Sequence, residues 1–157
     1  MPHKIPPVAS PAQDGTGMTH DEIVAFFQRR EELYNDFDAE ALAADYADDA
    51  VIDSPISGVH TGRLTVEQAL RAVFAAFPDR KMRTENLLID GDLVAQVLAI
   101  EGTHIGEFLG LPPSGKSFRH CAVFLYELRD RHIIRERRIY DFTGLLVQIG
   151  VLKAKPV

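Results

Sequence analysis

Pro78 divides this chain into two kinds of pattern. Before it, apolar residues recur at helical spacing; after it, they alternate with polar ones as strands do. Thr19 and Glu22 form a capping box, in which each side chain satisfies an orphan backbone donor of a first helical turn. Ile23, Phe26, Phe27, Leu33, Tyr34 and Phe37 then describe an amphipathic helix ending near Asn35. Asp38 is placed to cap a second short helix reaching Tyr46. Residues 50–53 read as a short strand closed by Pro55 and Gly58. Thr65 and Gln68 suggest another capping box, followed by the stripe Val66, Ala69, Leu70, Val73, Phe74 and Phe77. Proline lacks a backbone donor, so Pro78 stops that helix. Beyond it, strands are expected at residues 81–89, 93–103, 117–128 and 132–141. Asp90-Gly91-Asp92 and Arg129-Asp130-Arg131 supply turns, residues 106–115 a Gly/Pro loop, and residues 144–150 a short apolar helix. Helices first and antiparallel strands after them signal an α+β fold, a curved sheet wrapped around helices with a hollow between.

A length of 157 residues suits one such domain, spanning residues 19–157. The 46% apolar share is enough for a real core, and a 25% charged share excludes a disordered chain. Residues 1–18 carry Pro2, Pro6, Pro7 and Pro11 and no hydrophobic signal-peptide core, and are expected to form a loose arm. No apolar run reaches membrane-span length. A net charge of −6 argues against nucleic acid or anionic lipid as the main partner. Cys121 is the only cysteine, which excludes an internal disulfide and fits a reducing, cytoplasmic compartment.

Gly110-Leu111-Pro112-Pro113-Ser114-Gly115-Lys116-Ser117 matches the phosphate-loop pattern letter for letter. That chemistry needs a helix N-terminus directly after the loop, and here a strand is expected. Two prolines also remove amide donors from the loop. The histidines show no helical zinc spacing, and no metal is expected. Cys121 follows His120 directly, so strand alternation sends their side chains to opposite faces and argues against a Cys–His pair. Acid/base chemistry is what remains for an enzyme.

The last strand carries the candidate constellation. Arg135, Arg137, Ile139 and Asp141 share one face, and Glu136, Arg138 and Tyr140 the other. An Asp and an Arg on an apolar concave face must pair or act, because burying them unpaired is costly. Asp53 closes the first strand, while His104 and His120 lie on neighbouring strands. These groups are expected to surround one cavity. Each also has a plain structural role open to it: Asp141 as the cap of the last helix, with Thr143 as the alternative cap; Arg135 to Arg138 as a solvated stretch; Asp53 as a turn residue.

Gly102-Thr103-His104-Ile105-Gly106-Glu107-Phe108-Leu109-Gly110-Leu111-Pro112-Pro113 and the ending Asp141-Phe142-Thr143-Gly144-Leu145-Leu146-Val147-Gln148-Ile149-Gly150, with Arg135-Glu136-Arg137 between, resemble the SnoaL-like polyketide cyclases, or ester cyclases. These belong to the nuclear-transport-factor-like, ketosteroid-isomerase-like group. The resemblance covers residues 19–152. It implies a cone-shaped, cystatin-like α+β barrel, a dimer or larger oligomer, and ring closure by intramolecular aldol chemistry without metal or cofactor. It makes Asp141 the acid/base. The first expectation is thus a cofactor-free cyclase or isomerase acting on a small, mostly apolar carbonyl compound, with Arg137 tuning or orienting Asp141 and His104 or His120 polarising an oxygen. In the related ketosteroid isomerases the base sits where Asp53 falls. Two other readings stand beside this one: a dehydratase or epoxide hydrolase using Asp53 and Asp141, and a binding or dimerisation module without chemistry.

Overall fold

The computed structural model describes residues 17–154; the expected N-terminal arm lies outside the described residues except for Gly17 and Met18. Helix α1 (His20–Asn35) opens on the capping box foreseen, Thr19 accepting from the Glu22 amide and Glu22 bonding back to the Thr19 amide. Asp38 caps α2 (Ala39–Ala44) through the Ala41 amide. Strand β1 (Tyr46–Ser54) starts four residues before the expected one, and the hairpin strand β2 (Gly58–Thr61) was not foreseen. Helix α3 (Arg63–Ala76) begins at Gly62 with no side-chain cap, so the Thr65–Gln68 box does not form. Thr65 instead donates its hydroxyl to the Thr61 carbonyl at 3.0 Å. The remaining elements fall within a residue or two of expectation: β3 (Lys81–Asp90), β4 (Leu93–Thr103), β5 (Ser117–Arg129), β6 (His132–Tyr140) and α4 (Phe142–Gln148).

The strands form one open, curved sheet in the order β2-β1-β6-β5-β4-β3. Four pairings join sequence neighbours antiparallel, but β1 pairs β6 in parallel, so the sheet is mixed where a wholly antiparallel one was expected. That pairing joins the helical half to the sheet half. It seats Ile52 beside Glu136 and Asp53 beside Arg137. Helices α1, α2 and α3 cover the concave face, and the α+β architecture holds.

Burial alternates strictly along β5. Phe118, Ala122, Phe124, Tyr126 and Leu128 are buried, while Arg119, Cys121 and Leu125 face out. Burying each such aromatic or leucine side chain contributes about 1.5–3 kcal/mol. Phe27 of α1 packs on Tyr126 at 4.8 Å between ring centroids. The end of α1 is locked to β3 by a two-way bond. The Asn35 side chain donates to the Met82 carbonyl and accepts from the Met82 amide, each at 2.9 Å. Among the described residues no helix is long and apolar enough to cross a membrane.

The loop between β4 and β5 is pinned under α3. The amides of Ile105 and Gly106 both donate to the Ala76 carbonyl at 3.0 Å. A Cβ on Gly106 would lie 2.1 Å from the Ala75 carbonyl oxygen, closer than any side chain can sit. The G-T-H-x-G motif therefore marks a backbone approach that only glycine permits. Strand β5 follows Lys116 directly, so the phosphate-loop look-alike has no helix behind it. Replacing Gly106 with Ala is expected to destabilise the fold by about 1–3 kcal/mol, the usual range for overpacking, in urea unfolding. An unchanged midpoint would show that the loop can leave the helix freely.

Candidate functional site

The concave face holds a buried chain of charges. Arg30 of α1, 1% exposed, donates to Asp45 at 2.8 Å, to the Leu42 carbonyl at 3.2 Å and to the Tyr46 hydroxyl at 3.1 Å. Tyr46 donates to Glu136 of β6, which is fully buried, and Glu136 also accepts from Arg138. Burial opposes the Tyr46 phenolate and the Glu136 charge opposes it further, so its proton affinity rises well above the ordinary range and it remains a donor. Burial works against the charge of Arg138 too, but Glu136 outweighs it. Every carboxylate in this chain has a cation, which is the condition under which buried charge is tolerable.

Above Arg138 lies a narrow cavity of ≈ 40 Å³ between α3 and the sheet, room for only a few waters. Its walls include Leu70, Val73, Phe77, Ile100 and Phe124, and its polar groups are Arg80, His120, Arg138 and Tyr140. A smaller hollow of ≈ 20 Å³, reached past Leu70 and Arg138, holds Ser54 and His60. His120 projects from β5 into the first cavity and stacks on Tyr140, with centroids 5.1 Å apart and planes 15° apart. Its Nδ1 is buried without a partner. Burial first, and then the Arg80 charge, push the imidazole down to about 4, while Asp141 pulls the other way. His120 is thus neutral at physiological pH and free to donate or accept a proton.

Asp141 is exposed and caps α4, accepting from the Gly144 amide at 2.7 Å. A Cβ on Gly144 would lie 2.2 Å from Asp141 Oδ2, so the D-x-x-G spacing exists to let the carboxylate rest over that amide. The cap role, open on the sequence, is the one the structure shows for the free protein, and Asp141 still sits near enough to His120 for its charge to be felt there.

Residues 25–149 match the profile of the SnoaL-like polyketide cyclases, most of the chain. The chain belongs to that family. It is 32% identical over 113 residues to nogalonic acid methyl ester cyclase of Streptomyces nogalater, covering 71% of this chain and 81% of that one. Among solved structures, IdmH of Streptomyces antibioticus, a polyketide cyclase candidate, is 30% identical with a TM-score of 0.69, covering 81% of this chain and 97% of its own. AclR of Streptomyces galilaeus, a hydroxylase candidate, superposes with a TM-score of 0.76 at 22% identity, covering 88% of this chain and 87% of its own. That last likeness concerns the fold alone.

Within this SnoaL-like chain the expected constellation is only partly brought together. His120 lines the cavity and Asp141 lies beside it. Asp53 and Arg137 do not: they face outward and pair with each other at 3.6 Å, their side chains 52% and 66% exposed. Arg137 therefore does not orient Asp141 from within the hollow. The inward face of β6 is the other one, carrying Glu136, Arg138 and Tyr140. His104 is fully buried, but as the peg of the β4–β5 loop. Its Nδ1 accepts from the Ser114 amide at 3.3 Å, which leaves the proton on Nε2. The rings of Phe77 and Phe118 stand between His104 and His120, so the two histidines do not converge. Among the described residues no cluster of His, Cys, Asp and Glu could hold a metal.

Arg80, Arg138 and Tyr140 were missed as cavity residues. The signal was present for two of them. Strand β5 keeps its aromatics on even positions, and a hairpin pairing Phe124 with Arg138 and Ala122 with Tyr140 puts the even residues of β6 on the same face.

The low proton affinity of His120 has a stability consequence. Between its ordinary value of 6.5 and about 4 the unfolded chain binds a proton that the folded chain refuses. Stability due to this site is complete above pH 6.5 and is lost as pH falls toward 4. His120→Phe is expected to flatten that part of the unfolding free energy–pH curve. Parallel curves for both proteins would refute the assignment.

Proposed function

We propose that this SnoaL-like protein closes a ring in a small, mostly apolar carbonyl compound by intramolecular aldol chemistry, with Asp141 as acid/base and no cofactor. The observation carrying this reading is a neutral, unsatisfied His120 in an apolar cavity, with the exposed Asp141 carboxylate close enough for its charge to act on the imidazole. In this scheme the Asp141 carboxylate leaves the Gly144 amide and takes a proton from a carbon flanked by carbonyls. The resulting enolate carbon attacks a second carbonyl of the same molecule and forms the new C–C bond. The oxygen of that carbonyl then recovers the proton from Asp141. His120 donates to an oxygen of the substrate while charge builds there. The apolar walls hold the reacting ends together, the larger share of what such a reaction needs from a protein. The cavity is narrow, so helix α3 must move away from the sheet to admit a ring-sized substrate.

The name of the Streptomyces nogalater relative supplies the first compound for a screen, nogalonic acid methyl ester. Asp141→Asn keeps an oxygen for the helix cap but removes the base. It is expected to lower turnover of a confirmed substrate by about 10²–10⁴-fold with little change in unfolding midpoint. Full activity in that variant would exclude Asp141 as the base. Product of unchanged mass and free of oxygen from labelled water fits cyclisation; labelled product would favour a hydrolase, and product lighter by one water a dehydratase. With Asp53 paired outside the cavity, that two-carboxylate chemistry has no geometric support here.

One observation favours a second reading, a ligand-binding module: the Asp141 carboxylate is already engaged by the Gly144 amide. A tightly held, unaltered molecule with no turnover would decide for it. Either reading includes a homodimer through the outer sheet face, where Leu88, Leu125 and Ile139 are exposed. Sedimentation is expected to give twice the chain mass, and Leu125→Arg to return it to one. A wild-type mass of one chain would refute the dimer.

A further inference from the structure

We infer that Arg80 is the seat for an anionic oxygen of the ligand, so that the molecule this cavity takes is an organic acid or a stabilised enolate rather than a neutral ketone. The proposal deepens the reading of the same cavity given above, and rests on it only for the enolate form.

Three arginines reach the interior of the concave face. Two are compensated: Arg30 by Asp45 and Arg138 by Glu136. Arg80 lines the same cavity and has no carboxylate partner among the described residues. Its surroundings are Tyr34, whose ring lies 5.8 Å below the guanidinium, with Arg138, His120 and Tyr140. The adjacent acid, Asp79, is spent on Thr103, whose amide and hydroxyl both donate to it at 2.7 Å. The cavity thus carries one cation more than its carboxylates cancel, inside largely apolar walls. Desolvation and the like charge of Arg138 lower the proton affinity of Arg80, though it stays charged. On the same cavity wall His120 Nδ1 is buried without a partner. A largely desolvated cation and an unsatisfied imidazole around one hollow are costly in the free protein. A ligand oxygen bearing negative charge would satisfy both. Such a guanidinium also holds an enolate oxygen without reorganising, beside apolar walls that strengthen its charge.

The test uses the full chain and matched probes: acetate and benzoate against acetamide and benzamide, and a cyclic 1,3-diketone that is enolate at neutral pH. Binding is read by calorimetry and by the His120 ring signals in NMR. The charged probes are expected to bind at least tenfold more tightly than their neutral partners and to raise the His120 pKa from about 4. Carboxylates and the diketone binding unequally tells which form of the anion the site prefers. Arg80→Met is expected to abolish the preference, to raise the His120 pKa without any ligand, and to leave the unfolding midpoint equal or higher, because it removes an unpaired, half-buried charge. Arg80→Lys is expected to keep part of the preference. Equal binding of charged and neutral probes, or an Arg80→Met variant that keeps the preference, would overturn the proposal. Anion binding at Arg80 without turnover would leave this site standing and refute the cyclase; turnover of neutral substrates unaffected by Arg80→Met would do the reverse.

Discussion

The Tyr46–Glu136 hydrogen bond joins residues ninety positions apart and holds the two halves of the molecule together. On one side Tyr46 takes the charge of Arg30 and, through it, α1 and Asp45. On the other Glu136 holds Arg138 in the floor of the cavity. The parallel pairing of β1 with β6 runs beside this bond. Each partner is needed because the others are buried. Removing one member would leave a charge without compensation, a loss of about 3–5 kcal/mol in comparable buried pairs. The chain of charges therefore specifies which face of β6 turns inward, and with it which β6 arginine lines the cavity.

The cavity's polarity follows. Apolar walls make every charge in the hollow count for more than it would in water. Arg138 is neutralised where it stands and Arg80 is not. Burial first, and then the Arg80 charge, keep His120 unprotonated. A neutral imidazole beside a free cation differs from a His–carboxylate pair. Asp141 stands outside the apolar interior, exposed, with its carboxylate resting on the Gly144 amide.

The two family motifs have physical explanations that do not depend on chemistry. Gly106 marks the closest backbone contact between α3 and the β4–β5 loop, and His104 pegs that loop from inside. Gly144 clears the space for the Asp141 carboxylate. The loop thus fixes the lid of the cavity and the ending fixes its rim. This is why these stretches, and not the cavity walls, carried the resemblance.

Local pattern alone determined much of this protein. The Thr19–Glu22 box, the stripe ending at Pro78, the Asp90–Asp92 turn and the alternation of β4 and β5 follow from hydrogen-bonding and periodicity within a few residues, and they were legible as such. His120 was legible as a cavity residue because it sits on the aromatic face of β5. What local pattern does not contain is the pairing of distant elements. Whether Arg137 or Arg138 faces inward depends on the register of β6 against β5 and β1, and a charged residue looks the same on either face. Arg80 lies in a connection with no periodicity, so only the packing of Tyr34, His120 and Tyr140 around it shows that its charge is enclosed and unpaired. Asp53 was misplaced for the same reason: the end of β1 points outward once β6 lies beside it. Backbone geometry settles the elements; the cost of burying charge settles the site, and that cost exists only when the chain is folded.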